Sequence, residues 1–217
     1  MSHDDRFNPY TDNGGTTMAI AGDGFVVIGS DTRASEGYGI LSRHAPKTYK
    51  VTDKAMIAMA GMRVDATHLH QKLSLEAKNF KYQNGEQITV DELARLMSVN
   101  LYYRRFFPWY TFNIVAGLDQ NNQAKLYAYD AVGCIGSYQY TAAGSGESLG
   151  IGILDQELMP IVTRKATSEI TVDKAVDLMK KAYFAIAERE IYTGDTLQYY
   201  IIDSTGMHEH KYELRKD

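Results

Sequence analysis

The order in which strand-like and helix-like segments follow one another is the feature that most limits the possible folds. Short apolar and β-branched runs come in pairs, the first being residues 18–21 and 25–29 on either side of Gly22-Asp23-Gly24. Asp and Gly tolerate the positive φ of tight turns, so this pattern predicts a β-hairpin. Strands joined by tight turns are antiparallel, because parallel strands need long crossover connections.

Further hairpins are predicted along the chain, with helices between them. The predicted strand pairs are 48–51 with 56–62, 112–118 with 124–129, and 198–203 with 208–213. The predicted helices are 64–83, a segment that begins after the capping-box residues Thr89 and Glu92, 147–158, and a segment that begins after Thr171. This order is unlike the βαβ alternation of parallel sheets, and it predicts an α+β layered sandwich in which helices cover the outer faces of antiparallel sheets.

Charge and cysteine content exclude several classes of protein. The net charge is −4 and the largest basic cluster is the pair Arg104–Arg105, so neither a nucleic-acid nor a membrane partner is expected. The single cysteine, Cys134, cannot form an intrachain disulfide, which favours a reducing compartment. The first residues have no apolar core of a signal peptide, and no apolar run approaches the ~20 residues that span a bilayer. We therefore expect a soluble intracellular protein.

Two motifs suggest chemistry at the start of the predicted sheet. Gly14-Gly15-Thr16-Thr17 leads into the first strand, and by itself it is typical of a flexible strand entry. Asp31, Arg33 and Lys47 follow the second strand. An acid and a lysine near a threonine could orient and activate a nucleophile, although a surface ion pair is the common alternative.

Taken together, the two motifs resemble the β-type subunits of the 20S proteasome, which are threonine peptidases of the N-terminal-nucleophile hydrolase fold. That resemblance implies a four-layer αββα sandwich. It also implies a threonine nucleophile freed by autocleavage, with an aspartate sixteen residues after it and a lysine thirty-two residues after it. Asp31 and Lys47 both have this spacing from Gly15. The resemblance therefore implies that a glycine, which has no hydroxyl, occupies the nucleophile position.

Further segments extend the resemblance and also depart from it. Gly144-Ser145-Gly146 matches a family segment whose serine supports the active site, but Glu147 stands where a second serine is usual. Glu190 and Thr193 replace the aspartate and serine of a second supporting segment. The resemblance thus implies a degenerate site with no catalytic residue, at positions Gly15, Thr16, Asp31, Arg33, Lys47, Ser145, Glu190 and Thr193.

Four separated segments, 6–10, 103–108, 192–195 and 214–217, resemble the non-catalytic subunit at the sixth β position of the eukaryotic particle. This implies ring neighbours of beta type-5 and beta type-4, contacts with α-ring subunits and the opposing β ring, and a location in cytoplasm and nucleus. It also implies a structural role in ATP- and ubiquitin-dependent protein degradation, without a cofactor or a metal. Residues 1–14 are expected to form an extended arm and 15–217 a single domain.

Asp130 has two interpretations. By its position after a strand it is most simply a turn residue. By resemblance it reaches the substrate pocket of the neighbouring chymotrypsin-like beta type-5 subunit.

Two other functions remain as alternatives. In one, the chain is an active threonine endopeptidase that uses Thr16 after cleavage of the Gly15–Thr16 bond. Its hydroxyl would then be displaced by one residue, about 3.3 Å along a strand, relative to Asp31 and Lys47. In the other, the chain is a freestanding ligand-binding domain.

Aromatic and histidine clusters complete the candidate residues. For the cluster Tyr102, Tyr103, Phe106, Phe107, Trp109 and Tyr110, core packing at a helix end is favoured over an assembly contact. His68 and His70 diverge on a helix, whereas His208 and His210 share a strand face. No third ligand accompanies that second pair, so surface histidines are favoured over a metal site.

Overall fold

A computed structural model of the chain describes residues 8–216, which contain twelve strands and four helices. The strands are β1 (Thr16–Ala21), β2 (Val26–Asp31), β3 (Ala34–Glu36), β4 (Gly39–Ser42), β5 (Thr48–Lys50), β6 (Ala55–Gly61), β7 (Thr111–Leu118), β8 (Ala124–Tyr129), β9 (Ile135–Ser137), β10 (Tyr140–Gly144), β11 (Thr196–Asp203) and β12 (Gly206–Glu213). The helices are α1 (Arg63–Asn84), α2 (Val90–Tyr103), α3 (Glu147–Thr163) and α4 (Val172–Arg189), with a 3₁₀ turn at Thr167–Glu169.

The strands form two antiparallel five-stranded sheets. Sheet 1 has the order β10-β1-β2-β11-β12 and sheet 2 the order β5-β6-β7-β8-β9, while β3 and β4 form a separate hairpin. The predicted hairpins are confirmed as β1–β2, β5–β6, β7–β8 and β11–β12. The sequence predicted neither the hairpin β3–β4 nor the edge strands β9 and β10, because these strands are short and lack runs of alternating apolar residues.

Three apolar cores separate four layers. Ala19 and Ile28 of sheet 1 meet Ala58 and Ile114 of sheet 2 in the central core. On the outer face of sheet 1, a second core is formed with α3 and α4. On the outer face of sheet 2, a third core is formed with α1 and α2. The αββα sandwich is therefore confirmed, since each sheet buries one face against the other sheet and the opposite face against two helices.

Helix ends follow the predicted capping residues. Thr89 and Glu92 form the complete capping box of α2, and the Thr171 side chain accepts a hydrogen bond from the Lys174 amide at the start of α4. Helix α3 extends to Thr163, beyond its predicted end at Leu158, with Pro160 inside it. Leu154, Leu158 and Ile161 are all buried against sheet 1, so packing outweighs the backbone hydrogen bond that Pro160 cannot donate.

The prediction that the aromatic cluster packs in the core is wrong for four of its six members. Trp109 is buried, but Tyr102, Tyr103, Phe106 and Phe107 are exposed. Helix α2 buries the face that carries Met97 and Leu101. Tyr102 and Tyr103 follow Leu101 directly and point to other sides of the helix, and the chain then turns away in a non-helical segment.

The described part of the predicted arm lies against the domain. Residues 1–7 of that arm lie outside the described residues. The Tyr10 ring contacts Phe107 and Tyr110, and its hydroxyl donates a hydrogen bond of 2.7 Å to the carbonyl of Pro108. The boundary at residue 15 between arm and domain stays a prediction. None of the described helices has the length and apolar character needed to cross a membrane.

Candidate functional site

Most of the predicted site residues meet at one end of sheet 1. Strand β1 begins at Thr16 and the antiparallel β2 ends at Asp31, so these two residues lie at the same end of sheet 1. Strand β10 ends there opposite Thr16, and β11 begins there opposite Asp31. Ser145 and Thr193, in the loops next to β10 and β11, are therefore brought to the start of β1.

Asp31 is the centre of the hydrogen-bond network. Its carboxylate is completely buried. Oδ1 accepts hydrogen bonds from the Thr16 amide at 2.9 Å and from Lys47 Nζ at 3.0 Å. Oδ2 accepts bonds from the amides of Arg33 at 3.1 Å and Gly194 at 3.4 Å. Four donors fix this carboxylate, so it joins β1, β2 and the loop before β11.

Lys47 is buried with its ammonium group in an oxygen-lined site. Besides Asp31 Oδ1, Nζ donates to the carbonyl of Asp31 at 3.1 Å and to that of Arg33 at 2.6 Å. Burial lowers the pKa of Lys47, and the Asp31 carboxylate acts in the opposite direction. The ammonium has an ion-pair partner and two further acceptors, which is what a charged group needs to remain inside a protein.

Gly15 adopts a backbone conformation that side chains disfavour. Its φ is +89°, and a Cβ placed on this residue would overlap the Lys47 side chain and lie 2.6 Å from its Nζ. The carbonyl of Gly15 accepts hydrogen bonds from the Ser145 amide at 3.0 Å and from Ser145 Oγ at 3.3 Å. The backbone at Gly15 is thus held firmly, while the place for a side chain is filled by Lys47.

Thr16 is buried and each of its polar atoms has a partner. Its Oγ1 lies 2.7 Å from Thr193 Oγ1 and accepts a hydrogen bond of 3.1 Å from the Gly146 amide. Its amide donates to Asp31 as described, and its carbonyl accepts from the Tyr183 hydroxyl at 2.8 Å. Because that amide belongs to the Gly15–Thr16 peptide bond, it has no lone pair available to act as a base.

Ser145 and Glu190 form a second contact beside Gly15. Ser145 Oγ lies 3.1 Å from Glu190 Oε2, and Glu190 Oε1 accepts a hydrogen bond of 2.8 Å from the Tyr192 amide. The longer side chain of Glu190 still reaches the serine. Glu147 does not join this group, since its side chain lines a cleft beside α3.

Arg33 forms a buried ion pair with Asp195, a residue that the sequence analysis did not identify as part of the site. Its Nε donates to Asp195 Oδ2 at 2.9 Å, and both side chains are almost fully buried. Burial raises the pKa of Asp195, but hydrogen bonds from Arg33 and Arg43 outweigh it and lower the pKa overall. Asp195 has a φ of +70°, which Asp tolerates better than most residues. Its place directly after Thr193 and Gly194 was the available signal.

Tyr183 is the second residue that was missed. Periodicity placed it on the buried stripe of α4, and it is completely buried. Its hydroxyl also hydrogen-bonds to the carbonyls of Thr16 at 2.8 Å and Gly29 at 3.1 Å, so α4 holds the start of β1 directly. Burial, followed by the charge of Asp31, raises its pKa well above the usual value. A hydroxyl on an otherwise apolar stripe was the only sequence signal.

The arm lies between β3 and the end of β6 and is bonded to both through Asn13. The Asn13 amide donates to the carbonyl of Gly61 at 3.2 Å, and the Asn13 carbonyl accepts from the Ser35 amide at 3.1 Å. The Asn13 side chain donates to the Ser35 carbonyl at 3.1 Å and accepts from the Arg63 amide at 2.9 Å. These bonds attach the arm to β3, to the end of β6 and to the start of α1.

Asp130 lies apart from this cluster, in the turn after β8. Its Oδ1 accepts hydrogen bonds from the amides of Val132 at 3.0 Å and Cys134 at 2.8 Å, and the residue is exposed. The structure therefore shows the turn function that its position predicted. A contact with a neighbouring subunit stays a prediction.

The histidine pairs have ordinary partners. His70 stacks on Tyr49, and His210 stacks on Tyr199. Within residues 8–216, no group of three or more His, Cys, Asp or Glu side chains is arranged to hold a metal ion.

The side chains around Gly15 are engaged in hydrogen bonds that hold the backbone in place. The hydroxyl of Thr16 is buried between Thr193 and Gly146, and the amine of Lys47 is bound to three oxygens. Ser145 lacks a neighbouring histidine or free amine among the described contacts of its hydroxyl. These contacts favour a structural role for the cluster over a catalytic one.

Comparison with known proteins gives a consistent result over almost the full length. A family model described as proteasome subunit matches residues 11–202. The chain is 37% identical over 215 residues to proteasome subunit beta type-1 of Dictyostelium discoideum, covering 98% of this chain and 91% of that protein. It is 38% identical over 213 residues to proteasome subunit beta type-1 of Danio rerio, covering 98% and 90%. It is also 38% identical over 217 residues to proteasome subunit beta type-1 of Arabidopsis thaliana, covering 98% and 97%.

Proposed function

The chain belongs to the proteasome subunit family and is similar to beta type-1 subunits over nearly its full length, and we propose that it is a non-catalytic structural subunit of the core particle. In this role it occupies one place in each β ring and contributes to proteolysis by closing the chamber and contacting other subunits. It thereby supports ATP- and ubiquitin-dependent protein degradation in cytoplasm and nucleus.

The observation that carries the proposal is the environment of Gly15. A threonine peptidase needs a hydroxyl at this position, with a free α-amino group as its base. Gly15 has neither a hydroxyl nor room for one, because Lys47 fills the space beside its Cα. Asp31 and Lys47 are retained as an ion pair that holds the strands together, without a nucleophile to activate.

The alternative in which Thr16 is the nucleophile receives no support from its contacts. Its hydroxyl is inaccessible and already hydrogen-bonded, and its nitrogen donates to Asp31. Cleavage at Gly15–Thr16 would leave the hydroxyl facing Thr193 on the wrong side of the strand, since successive side chains alternate. A change of register by one residue would also break the pairing of β1 with β2 and β10.

Partners follow from the same proposal. We place beta type-5 and beta type-4 subunits beside this chain in the ring, with α-ring subunits and the opposing β ring on other faces. Asp130, which is exposed at the end of β8, is proposed to reach the substrate pocket of the beta type-5 neighbour. The exposed aromatic residues Tyr103 and Phe106 are suited to a further subunit contact, since aromatic side chains are enriched at interfaces.

Purification of the native particle tests the proposal. We expect the chain to elute from size-exclusion chromatography with a very large complex that contains α- and β-type subunits. Intact mass and N-terminal sequencing should find no chain that begins at Thr16. A chain that begins at Thr16 would contradict the non-catalytic role, and elution as a monomer would favour the freestanding domain.

A further inference from the structure

The cleft that Glu147 lines has a volume of about 920 Å³ and lies on the side of the sandwich where both sheets have an edge strand. Strand β9 is the edge of sheet 2 and β10 is the edge of sheet 1, and the exposed side of α3 forms the third wall. We call this space the edge cleft. Edge strands carry backbone groups without a strand partner on one side, and proteins commonly cover such edges.

The walls of the edge cleft expose apolar side chains. Ile135 is 40% exposed, Tyr138 is 52% exposed and Met159 is 57% exposed. Ile151 and Val162, both half-buried, continue this surface along α3. A contiguous apolar surface with polar residues around it is typical of a site where another protein binds.

The charges of the edge cleft are all of one sign. Asp130, Glu147 and Asp155 line it, and none of its described lining residues is a lysine or an arginine. Asp130 accepts hydrogen bonds from its own turn, and Asp155 accepts one of 2.7 Å from the Tyr140 hydroxyl. Glu147, in contrast, has no hydrogen bond or ion pair with any of the described residues, and burial raises its pKa. An exposed carboxylate that lies beside two other acids, with no basic residue in the described lining, is suited to a basic side chain of another protein.

We propose that the edge cleft receives an extended segment of an adjoining proteasome subunit, in which a lysine or arginine pairs with Glu147 and apolar side chains cover Tyr138 and Met159. The inference rests on the proposed function, which supplies the adjoining subunit. An extended segment is favoured over a helix because β9 and β10 offer unpaired backbone groups to it.

Cys134 is a built-in probe of this contact. It is the only cysteine in the sequence, it is exposed, and it lines the edge cleft. We expect a maleimide reagent to label Cys134 at least about tenfold more slowly in the purified particle than in the free chain, since thiol reactivity depends on access. Labelling that is equally fast in both would overturn the inference, while absence of the chain from particles of proteasome size would overturn the proposed function as well.

A cross-link identifies the occupant. Tyr138 is aromatic and exposed, so p-benzoylphenylalanine can replace it without changing a buried contact. After irradiation of the assembled particle, mass spectrometry should find the link on a segment that carries a lysine or arginine beside apolar residues. A link to a segment without a basic residue, or to a helix, would contradict the proposal.

The charge is tested by a matched pair of variants. Glu147→Lys should lower incorporation into the particle about tenfold in competition with the wild-type chain, because like charges would then meet in the cleft. Glu157→Lys makes the same charge change on α3 but lies outside the cleft, and it should incorporate like the wild type. Glu147→Gln should incorporate less well than the wild type, by a smaller factor than Glu147→Lys. High salt screens the ion pair and should remove the difference between the wild type and Glu147→Gln. Equal incorporation of Glu147→Lys and Glu157→Lys would overturn the pairing with Glu147.

Discussion

The side chain of Lys47 occupies the space beside Gly15 into which a side chain at that position would point. Its ammonium group is fixed by Asp31 and by two backbone carbonyls. The space beside the Gly15 Cα is therefore filled by the neighbouring lysine. This relationship gives the Gly15 position a structural reason to remain glycine.

The variant Gly15→Thr should not create a peptidase. The new side chain would have to displace Lys47, and Glu147, Glu190 and the intact arm would still depart from a working site. We expect no hydrolysis of a fluorogenic peptide in particles whose active subunits carry alanine in place of their threonine nucleophiles. Turnover above the level of the same particles with Gly15 retained would contradict this expectation.

The steric part of that effect can be measured separately with alanine variants. Gly15 and Gly85 both have positive φ, of +89° and +78°, but a Cβ at Gly85 would meet nothing within 4 Å. Both variants should lose about 1–3 kcal/mol for the unfavourable backbone conformation. Gly15→Ala should lose more, because Lys47 must move as well. Urea unfolding measures both changes. Equal losses in the free energy of unfolding for Gly15→Ala and Gly85→Ala would show that the Lys47 side chain moves aside without a measurable cost.

Removal of the Thr16 hydroxyl should affect stability and leave peptidase activity unchanged. Thr16→Val keeps the shape but leaves Thr193 and the Gly146 amide without their partner, at a cost of about 1–3 kcal/mol. Thr17→Val is the matched control, because its hydroxyl makes only one long contact of 3.4 Å, to the Ala143 carbonyl. Urea unfolding of both variants gives the comparison. A loss of peptide hydrolysis in Thr16→Val particles of normal subunit content would revive the active-enzyme alternative.

Strand pairs and helix caps were predictable because each depends on residues that are close in sequence. Gly22-Asp23-Gly24 and the Thr89 capping box specify local structure directly. The resemblance implied, through the spacing of Asp31 and Lys47 from Gly15, that these residues lie together, and in the structure Lys47 bonds to Asp31 and lies beside Gly15.

Other features depend on packing between distant residues and could not be predicted. The bond from Tyr183 to Thr16 joins residues 167 positions apart, and the pair Arg33–Asp195 spans 162 positions. Pro160 lies inside α3 because Leu158 and Ile161 bury their side chains against sheet 1. The exposure of Phe106 and Phe107 depends on where α2 ends, which the density of aromatic residues did not reveal.

The ion pair between Arg33 and Asp195 should make stability depend on acid pH. The pKa of Asp195 is lower in the folded chain than the unperturbed value of about 3.9, so its stabilising effect is present above that value and is lost as the pH falls through the folded pKa. Asp195→Asn keeps a residue that tolerates positive φ, but it should lower the free energy of unfolding at pH 7 by about 1–3 kcal/mol. Below about pH 4, the wild type should approach the variant.

Asp53→Asn serves as the control for that experiment. The pKa of Asp53 is also lowered, by a hydrogen bond from Lys50 first and from Gln87 second, but both members of its ion pair are exposed. Its substitution should change stability by less than about 1 kcal/mol at any pH. If urea unfolding at pH 3 to 7 gave parallel curves for wild type and Asp195→Asn, the assignment to Asp195 would be wrong.

The final prediction concerns the influence of Asp130 on the neighbouring subunit. Asp130 and Asp119 flank β8, and each accepts hydrogen bonds from the amides two and four residues ahead, so the two acids have the same local function. Asparagine keeps such a turn but removes the charge. If Asp130 reaches the substrate pocket of the beta type-5 neighbour, Asp130→Asn should change the KM of the chymotrypsin-like activity about two- to tenfold, through the loss of one rim charge. The other peptidase activities of the particle should remain as they are, and Asp119→Asn should alter none of them. Steady-state kinetics with a fluorogenic substrate for each activity measures this, and identical KM values for the two variants would leave Asp130 with its turn function alone.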